Sequence, residues 1–508
     1  MVKINETPSS IYLMHKYWGK KPSKELKEQV IKYTKKDDLI LDPFAGYGGI
    51  GIEALIEHRN VILNDLNPMA NFISECILNK NINFDLLNKY YDEIKEKITI
   101  KEKEWYFYKE HKVITILRNK KDEPIKIKIL KDKKMEEISL SDDEIKNRIK
   151  KEKNTKIKSW FPTDKLIQNS RICSSGKLCV NDLFPISALD CQSFLLECIN
   201  QIPNSIEKNI LLFAFTSNLA NCSKLVPPIT SRGEMAQGAW MTGFYIGETY
   251  LENNVFHYYE NRIKKIIKGK KDLNSIILKN NCSYKITNED AKKLSIKDES
   301  IDFVFTDFPY GDTVPYFEQS QIWNLWLKKD VDYENEIVVS DSKERKKNQK
   351  QFDNDIEKSI NEISRVLKVG KYFTFTFHSL NGEEWEAISN SIAKNPFEFV
   401  ELSFLEQKTF TPRQLNRKMS IKGDVVVTFK KVKNKQLILD FNNINEKITN
   451  EITSKIKKGI LYETNDLIIL CVSCLLKYNQ HSDKIDFIEL ISEYFSLDAD
   501  SNKWILKE

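Results

Sequence analysis

The stretch from Asp38 to Asp65, DLILDPFAGYGGIGIEALIEHRNVILND, decides how the rest of the chain is read. DLILD is a short β-type run, and PFAGYGG after it is a glycine-rich turn. IGIEALIEH spaces its apolar residues like a helix, and NVILND (Asn60 to Asp65) predicts a second strand. Together these make a β-turn-α-β unit ending in an acidic residue, the pattern of a nucleotide-binding half-fold. Glycines at the end of a strand let the backbone pass close to a bound adenosine or carboxylate, with a helix N-terminus facing it. Asp65, about 20 residues after the turn, stands where a carboxylate can accept hydrogen bonds from both ribose hydroxyls. The spacing therefore favours a bound nucleoside over a bare tight turn.

These residues leave the kind of nucleoside open, since NAD and S-adenosylmethionine both suit the architecture. Gly46-x-Gly48-x-x-Gly51 matches the dinucleotide fingerprint formally. Asp42, however, puts a negative charge where a pyrophosphate would be repelled, whereas a sulfonium cofactor with a free amino group would welcome it.

Working outward, the same grammar returns late in the chain. YKIT (Tyr284 to Thr287), DFVFT (Asp302 to Thr306), KYFTFTFH (Lys371 to His378) and GDVVVTFKK (Gly423 to Lys431) read as strands. A helical stretch, DIEKSINEISRVL, precedes the third of them and is expected to stop at Val369-Gly370. If all belong to one sheet, roughly 200 residues are inserted into it, leaving at the edge where ligands bind. The expected fold is α/β: a doubly wound Rossmann-like sheet with a large mixed α/β insertion and a small helical C-terminal unit. The expected boundaries are 1–81 and 281–435 for the two parts of the core, 82–280 for the insertion and 436–508 for the last unit. Within the insertion, EWYFYKE, VITILR and IKIKIL are β-type stretches ahead of a charged helical run, and Trp160 to Leu251 reads as a helical subdomain.

Composition narrows the classes. A chain of 508 residues has room for about two to four domains. With 41% hydrophobic and 11% aromatic residues it is not a disordered chain. No apolar run approaches the roughly 20 residues of a spanning helix, and the N-terminus lacks the pattern of a signal peptide, so a cytoplasmic setting without a membrane is expected. Nine cysteines are too sparse for a disulfide scaffold. Seventy-nine basic against 73 acidic side chains give a net charge of +6, which permits a nucleic-acid partner without requiring one.

The second decisive constellation is Thr306-Asp307-Phe308-Pro309-Tyr310-Gly311, directly after the strand DFVF and so at the ligand edge. The Asp307 carboxylate and a backbone carbonyl near Pro309 could both accept from one exocyclic amine. Two such acceptors draw the amine hydrogens out of the ring plane and localise the lone pair for attack. Tyr310 offers an aromatic face on which a flipped base could stack, worth about 1–3 kcal/mol.

DPFAGYGG and TDFPYG together resemble the amino-methyltransferases of DNA, which methylate N6 of adenine or N4 of cytosine from S-adenosylmethionine. That family's motifs read D-P-F-x-G-x-G and D/N/S-P-P-Y/F/W. The resemblance implies that Asp42, Pro43, Phe44, Gly46 and Gly48 contact the cofactor. It implies that Asp65 binds the ribose, with Asn67 beside it, and that Asp290 sits near the adenine. HKYWGKKP (His15 to Pro22) is similar to the family's extra N-terminal cofactor segment, which implicates Tyr17 and Trp18. Asp307, Pro309 and Tyr310 map onto the catalytic motif, and an aspartate in its first position points to N6 of adenine.

DTVPYFEQSQIWNLWL, RVLKVGKYFTFTFH, KGDVVVTFKK, WFPTDKLIQNSRI and NNVFHYYENRIKKIIKGK resemble a bacterial subgroup of adenine-specific DNA methylases, so the likeness spans most of residues 11–431. Its motif order is that of the class whose target-recognition domain is the insertion. It alone implies a place in restriction-modification or phage defence, with partner subunits of such a system. Phe308 departs from the motif's first proline, which leaves room for a shifted base preference. Relatives often carry a four-cysteine zinc ribbon early in the insertion, yet residues 101–130 contain no cysteine.

A metal is not expected elsewhere. Cys173, Cys179, Cys191 and Cys198 lack paired C-x2-C knuckles, and Cys471 and Cys474 lie in the apolar run LIILCVSCLLKY, as buried structural cysteines would. The six histidines are scattered singly. For nucleic acid, NRIKKIIKGKK supplies Lys264, Lys265 and Lys268, and the loop TPRQLNRK supplies Arg413, Arg417 and Lys418. Either group could neutralise phosphates while a base of duplex DNA is extruded. His15, Lys16, Tyr17, Trp18, Lys20 and Lys21 interleave aromatics with cations, which suits cofactor or DNA contact. The reading is a DNA methyltransferase preferring N6 of adenine. Alternatives are N4 of cytosine, an RNA methyltransferase acting on guanine N2 or adenine N6, and a non-catalytic DNA-binding homologue.

Overall fold

The computed structural model describes residues 7–173, 176, 178–311, 314–377, 382–406, 423–434, 444–478, 487–498, 501 and 503–507. The chain opens with α1 (Ser9–Tyr12) and α2 (Ser23–Tyr33), then runs through β1 (Leu39–Asp42), α3 (Gly49–Ile56), β2 (Asn60–Asn64) and α4 (Pro68–Leu78). A long excursion follows: α5 (Phe84–Trp105), β3 (Phe107–Tyr108), β4 (His111–Asn119), β5 (Pro124–Lys131), β6 (Lys134–Ser139) and α6 (Asp142–Asn154). It continues with α7 (Ile186–Asn200), α8 (Ile206–Leu219), β7 (Thr249–Asn253) and α9 (Val255–Ile277). Then come β8 (Tyr284–Thr287), β9 (Ile301–Asp307), α10 (Tyr316–Asn324), α11 (Gln349–Val366), β10 (Leu367–Phe377), α12 (Gly382–Ala393), β11 (Phe397–Glu406) and β12 (Gly423–Lys431). The chain ends with α13 (Ile444–Lys457), α14 (Thr464–Tyr478), α15 (Phe487–Tyr494), β13 (Phe495–Leu497) and β14 (Trp504–Leu506).

Seven strands form the main sheet, in the order β11-β12-β10-β9-β1-β2-β8. β8, β2, β1, β9 and β10 are parallel neighbours, and β12 runs antiparallel between β10 and β11. This is a doubly wound α/β sheet whose order reverses at β1 and β9. Ligands in such sheets bind outside the carboxyl ends of the strands at that switch point. Both decisive turns of the sequence follow those two strands.

The inner strands are buried on both faces, as central parallel strands must be. On β9, Phe303 and Phe305 belong to one apolar cluster and Val304 to the other. On β10, Phe373, Phe375 and Phe377 are fully buried, and the intervening Thr374 is buried through a 2.8 Å hydroxyl contact with Thr428 of β12.

The excursion between β2 and β8 builds its own antiparallel sheet, β3-β4-β5-β6, with β7 added on the other edge of β4. Arg118 on β4 is wholly buried there, and its guanidinium pairs with Glu252 of β7 and with Glu152 of α6 at 2.6 Å. A buried arginine is tolerated because two carboxylates hold it.

Two details differ from the sequence reading. α11 stops at Val366 rather than at Val369-Gly370, because Leu367 already pairs with Ile301 of β9. Gly370, at φ +83°, then lies inside β10, where the register shifts between Leu367 and Tyr372. The last unit is not purely helical either: β13 and β14 form a hairpin beside its three helices. No described helix is long and apolar enough to cross a membrane.

Candidate active site

β1 delivers Asp42 to the sheet edge, and the turn after it is shaped by Gly46 (φ +50°) and Gly48 (φ +77°), conformations that side chains disfavour. A Cβ on Gly46 would come within 3.1 Å of the Tyr17 ring, and one on Gly48 within 2.7 Å of Ser74 Oγ. Asp42 is buried; its Oδ1 accepts from the Phe44 amide at 3.1 Å and from the Thr306 hydroxyl of β9 at 3.2 Å. The two strand ends are thus stitched together. Burial raises the Asp42 carboxyl well above its ordinary pKa, against the pull of those donors.

Asp65 follows β2. Its Oδ2 accepts from the Gly46 amide and its Oδ1 from the Asn67 amide, each at 2.8 Å. A carboxylate offers about four acceptor positions, so two remain for ribose hydroxyls. Burial pushes its pKa up to about 6 in spite of both amides.

A cleft enclosing about 990 Å³ of atom-free space, open to solvent, runs between the strand ends. Asp42, Phe44, Gly46, Asp65, Asp290, Asp307 and Pro309 line it together. Tyr17, Trp18 and Pro43 also line it, and so do Tyr316 and Glu336, which the sequence did not single out. The two turns, far apart in sequence, meet at one hollow.

Two expected cofactor contacts are placed otherwise. Asn67 is fully buried and does not line the cleft. It caps α4 by accepting from the Met69 amide at 3.1 Å, and its side-chain amide donates to Ser320 Oγ at 2.8 Å and to the Tyr17 hydroxyl at 3.3 Å. An Asn-Pro pair at a helix start makes a good cap, and that role has taken the side chain. Gly48 also lies off the lining; it serves the turn, packed against Ser74 and Leu63.

Asp307 Oδ1 takes hydrogen bonds from the Tyr310 hydroxyl at 2.7 Å and the Thr376 hydroxyl at 2.6 Å, with Lys21 Nζ at 3.0 Å. Oδ2 takes none from a described residue. Lys21 comes from the HKYWGKKP segment. It also donates to the Tyr310 hydroxyl at 2.5 Å and pairs with Asp424 of β12 at 2.8 Å, all three groups being buried. Burial and Asp424 hold the Asp307 carboxyl above its ordinary pKa, opposed by Lys21 and the two hydroxyls.

Tyr310 departs from its expected role. Its ring is buried against Phe377 at 5.9 Å, and its hydroxyl is spent on Asp307, so in this state it orients the carboxylate and offers no open face for stacking. Lys21, Thr376 and Asp424 were not assigned roles at this centre from sequence. The one signal was the interleaving of cations and aromatics around Lys21.

Phe308, the departure from the motif, has a structural reason. It is fully buried and packs on Phe44 of the cofactor turn (5.8 Å) and on Phe373 and Phe375 of β10 (6.2 and 5.3 Å). Its amide donates to the Thr376 carbonyl at 3.4 Å, a bond proline would forfeit. Phe308→Ala is expected to lower unfolding free energy by about 3–5 kcal/mol in urea titrations. A cost below about 1 kcal/mol would contradict this packing role.

Among the described residues no group of three or more His, Cys, Asp or Glu side chains could hold a metal. Cys471 and Cys474 are buried on α14. Lys264, Lys265 and Lys268 lie exposed on α9, away from the cleft lining, and Lys264 pairs with Glu260 at 3.1 Å. Lys270 of the same run is buried instead, donating at 2.6 Å to the carbonyls of Ile77 and Asn79 at the end of α4. Arg413, Arg417, Lys418 and His378 lie outside the described residues.

A family model described as "DNA methylase", for N6 and N4 methyltransferases, matches residues 2–75. A tRNA (guanine(37)-N(1))-methyltransferase of Drosophila melanogaster is 38% identical over 66 residues, which are 13% of this chain and 14% of that protein. The chain thus spans about one seventh of the curated relative it matches. Among solved structures, an S-adenosylmethionine-dependent methyltransferase from Methanosarcina mazei is 13% identical, covering 30% of this chain and 69% of its own, with a TM-score of 0.17. A methyltransferase homologue from Pyrococcus horikoshii is 12% identical, covering 70% and 98%, with a TM-score of 0.18. Structural likenesses this low carry no argument of their own.

The sheet, the cleft at its switch point and the match over residues 2–75 agree on the class: an S-adenosylmethionine methyltransferase fold. The residues fit that cofactor. Asp65 keeps acceptor positions that could take ribose hydroxyls, and Asp42 and Asp290 add carboxylates to the same cleft that could meet the cofactor's ammonium and amine donors.

Proposed function

We propose that this protein methylates the exocyclic amine of a base flipped out of duplex DNA, with N6 of adenine as the preferred target. The observation that carries the reading is Asp307. One of its oxygens is fixed by Lys21, Tyr310 and Thr376, while the other takes no hydrogen bond from a described residue, and Asp307 lines the cleft that Asp42 and Asp65 share. A carboxylate oriented in that way is suited to accept from a target amine, with a main-chain carbonyl near Pro309 as second acceptor. The family-model match to DNA methylases supports the substrate class.

S-adenosylmethionine, when bound, supplies an electrophilic methyl group on a sulfonium. Asp42, Asp65 and Asp290 hold its ends. Asp307 Oδ2 and the Pro309 region draw the amine hydrogens toward themselves and turn the nitrogen lone pair to the cleft. Transfer of that methyl to the nitrogen, with S-adenosylhomocysteine as the product left behind, would leave the nitrogen one proton in excess, which Asp307 or water would accept. Positioning carries most of the acceleration, because reactants held at about 3–3.5 Å avoid the entropy of encounter.

The partial match to a tRNA methyltransferase favours RNA as the second reading. Incubation with tritiated S-adenosylmethionine and either duplex DNA or tRNA separates the two. We expect label in DNA, released as N6-methyladenine on digestion to nucleosides. Label confined to tRNA would move the substrate to RNA. Binding of DNA without binding of S-adenosylmethionine in calorimetry would make the chain a non-catalytic homologue.

A further inference from the structure

Tyr310 spends both its ring and its hydroxyl inside the protein, yet a second tyrosine stands beside Asp307. Tyr316, half-buried at the start of α10, lines the cleft. Gly19, which lines the same cleft at φ +71°, marks how close the two side chains come. A Cβ on Gly19 would fall 3.2 Å from the Tyr316 hydroxyl oxygen and 3.4 Å from Asp307 Oδ2. Those two oxygens therefore border one small space, and glycine keeps a side chain out of it. Neither oxygen takes part in a hydrogen bond with a described residue.

Tyr316 is also held from behind. Its carbonyl accepts from the Ser320 hydroxyl at 2.7 Å, and Ser320 Oγ accepts in turn from Asn67, the cap of α4, at 2.8 Å. Its ring stacks on that of Tyr17 at 6.3 Å, and the Tyr17 ring abuts Gly46 of the cofactor turn. Burial and the nearby Asp307 raise the phenol well above its ordinary pKa, so at neutral pH it remains a donor.

We propose that the Tyr316 hydroxyl is a base-binding group that donates to the ring nitrogen next to the target amine, N1 or N7 of adenine, while Asp307 accepts from the amine itself. The inference rests on the proposed adenine reading of the cleft and adds how the edge of the base is held. An amine beside a ring nitrogen presents a donor next to an acceptor. A carboxylate oxygen beside a phenol presents the complementary pair, because the first only accepts and the second can donate. Two bonds to neighbouring atoms of one ring fix its rotation in the cleft, which a single bond to the amine cannot do. That orientation is what direct methyl transfer requires.

The test uses the full chain and a duplex carrying the site that the wild type methylates, mapped by sequencing its product. Two further duplexes replace the target adenine by 1-deazaadenine or 7-deazaadenine, each lacking one candidate acceptor. Tyr316→Phe removes the hydroxyl and leaves the ring on Tyr17, so a thermal melt should be unchanged. On the adenine duplex we expect single-turnover transfer to fall about tenfold, with S-adenosylmethionine affinity in calorimetry unaltered. On one of the two deaza duplexes the variant should lose no more than about twofold against wild type, because the partner of the hydroxyl is already gone. Comparing the two proteins on the same duplex cancels what the analogue does to the amine. An equal loss on all three duplexes, or no loss on any, overturns the base-binding role while leaving the proposed function standing. Loss of cofactor affinity in step with transfer assigns Tyr316 to the cofactor and overturns it as well. A wild-type chain that methylates no adenine in duplex DNA overturns the proposed function, and the inference falls with it.

Discussion

Asp307→Ala is expected to lower methyl transfer by about 10²–10³-fold or more, while the affinity for S-adenosylmethionine barely changes and the protein stays folded. The first part follows from geometry. Asp307 lines the cleft with one oxygen that takes no hydrogen bond from a described residue, and removing one preorganised partner of a reacting group typically costs that much. The second follows from position, because the groups proposed to hold the cofactor, Asp42, Asp65 and Asp290, stand at other strand ends of the same cleft. The third follows from counting charges. Without Asp307, Lys21 keeps Asp424 at 2.8 Å, so a balanced buried pair remains instead of a lone ion. Single-turnover transfer of tritiated methyl, cofactor titration calorimetry and a thermal melt read the three parts separately. Equal loss of transfer and cofactor binding, or loss of neither, would refute the role assigned to Asp307.

What was legible in the sequence was what is written locally. β1, its glycine turn, α3 and β2 occupy 26 consecutive positions from Leu39 to Asn64, and each carries its own periodicity and breakers. β9 and β10 were equally plain, since DFVFT and YFTFTF have no helical spacing. β11 was not, because FEFVELSFLE mixes three glutamates into an edge strand, and its identity comes from pairing with β12. The end of α11 was misjudged for the same reason: pairing of Leu367 with Ile301 outweighs the local helical pattern.

The site divides along the same line. Asp42, Asp65, Asp290 and Asp307 follow strand ends, so their convergence follows from the rule that such sheets bind ligands at one edge. Asn67 was misplaced because the residues after a strand end can either face the ligand or cap the next helix, and the letters are the same. The group around Asp307 was beyond reach. Lys21 lies 289 positions from Tyr310 and 403 from Asp424, and no spacing relates them. Thr376 reads as one more alternating strand residue until β10 is placed beside β9.

Lys21 carries the second large effect. Lys21→Met is expected to destabilise the fold by about 3–5 kcal/mol at neutral pH, because it leaves Asp307 and Asp424 buried without their shared cation. The pH dependence fixes the interpretation. Burial alone would push the Lys21 ammonium down, but Asp307 and Asp424 outweigh it and hold its pKa above the ordinary lysine value. Its contribution is therefore present below the ordinary pKa of about 10.4 for as long as the two carboxylates are ionised, and at the alkaline side it is lost only as pH rises through the higher folded value. Wild type keeps it throughout the neutral range. In the variant the carboxylates lose the group that favoured their charged forms, so the Asp307 pKa, already raised by burial, rises further. Ionising them in the folded state then costs stability at every pH above the ordinary carboxyl value of about 3.9, and protonation in acid relieves it. Urea melts at pH 4 and pH 7.5 should accordingly show a small gap between variant and wild type at the lower pH and the full gap at the higher one. A gap of equal size at both would mean that Lys21 acts through packing of its stem and not through charge, and the account of how Asp307 is held would fail with it.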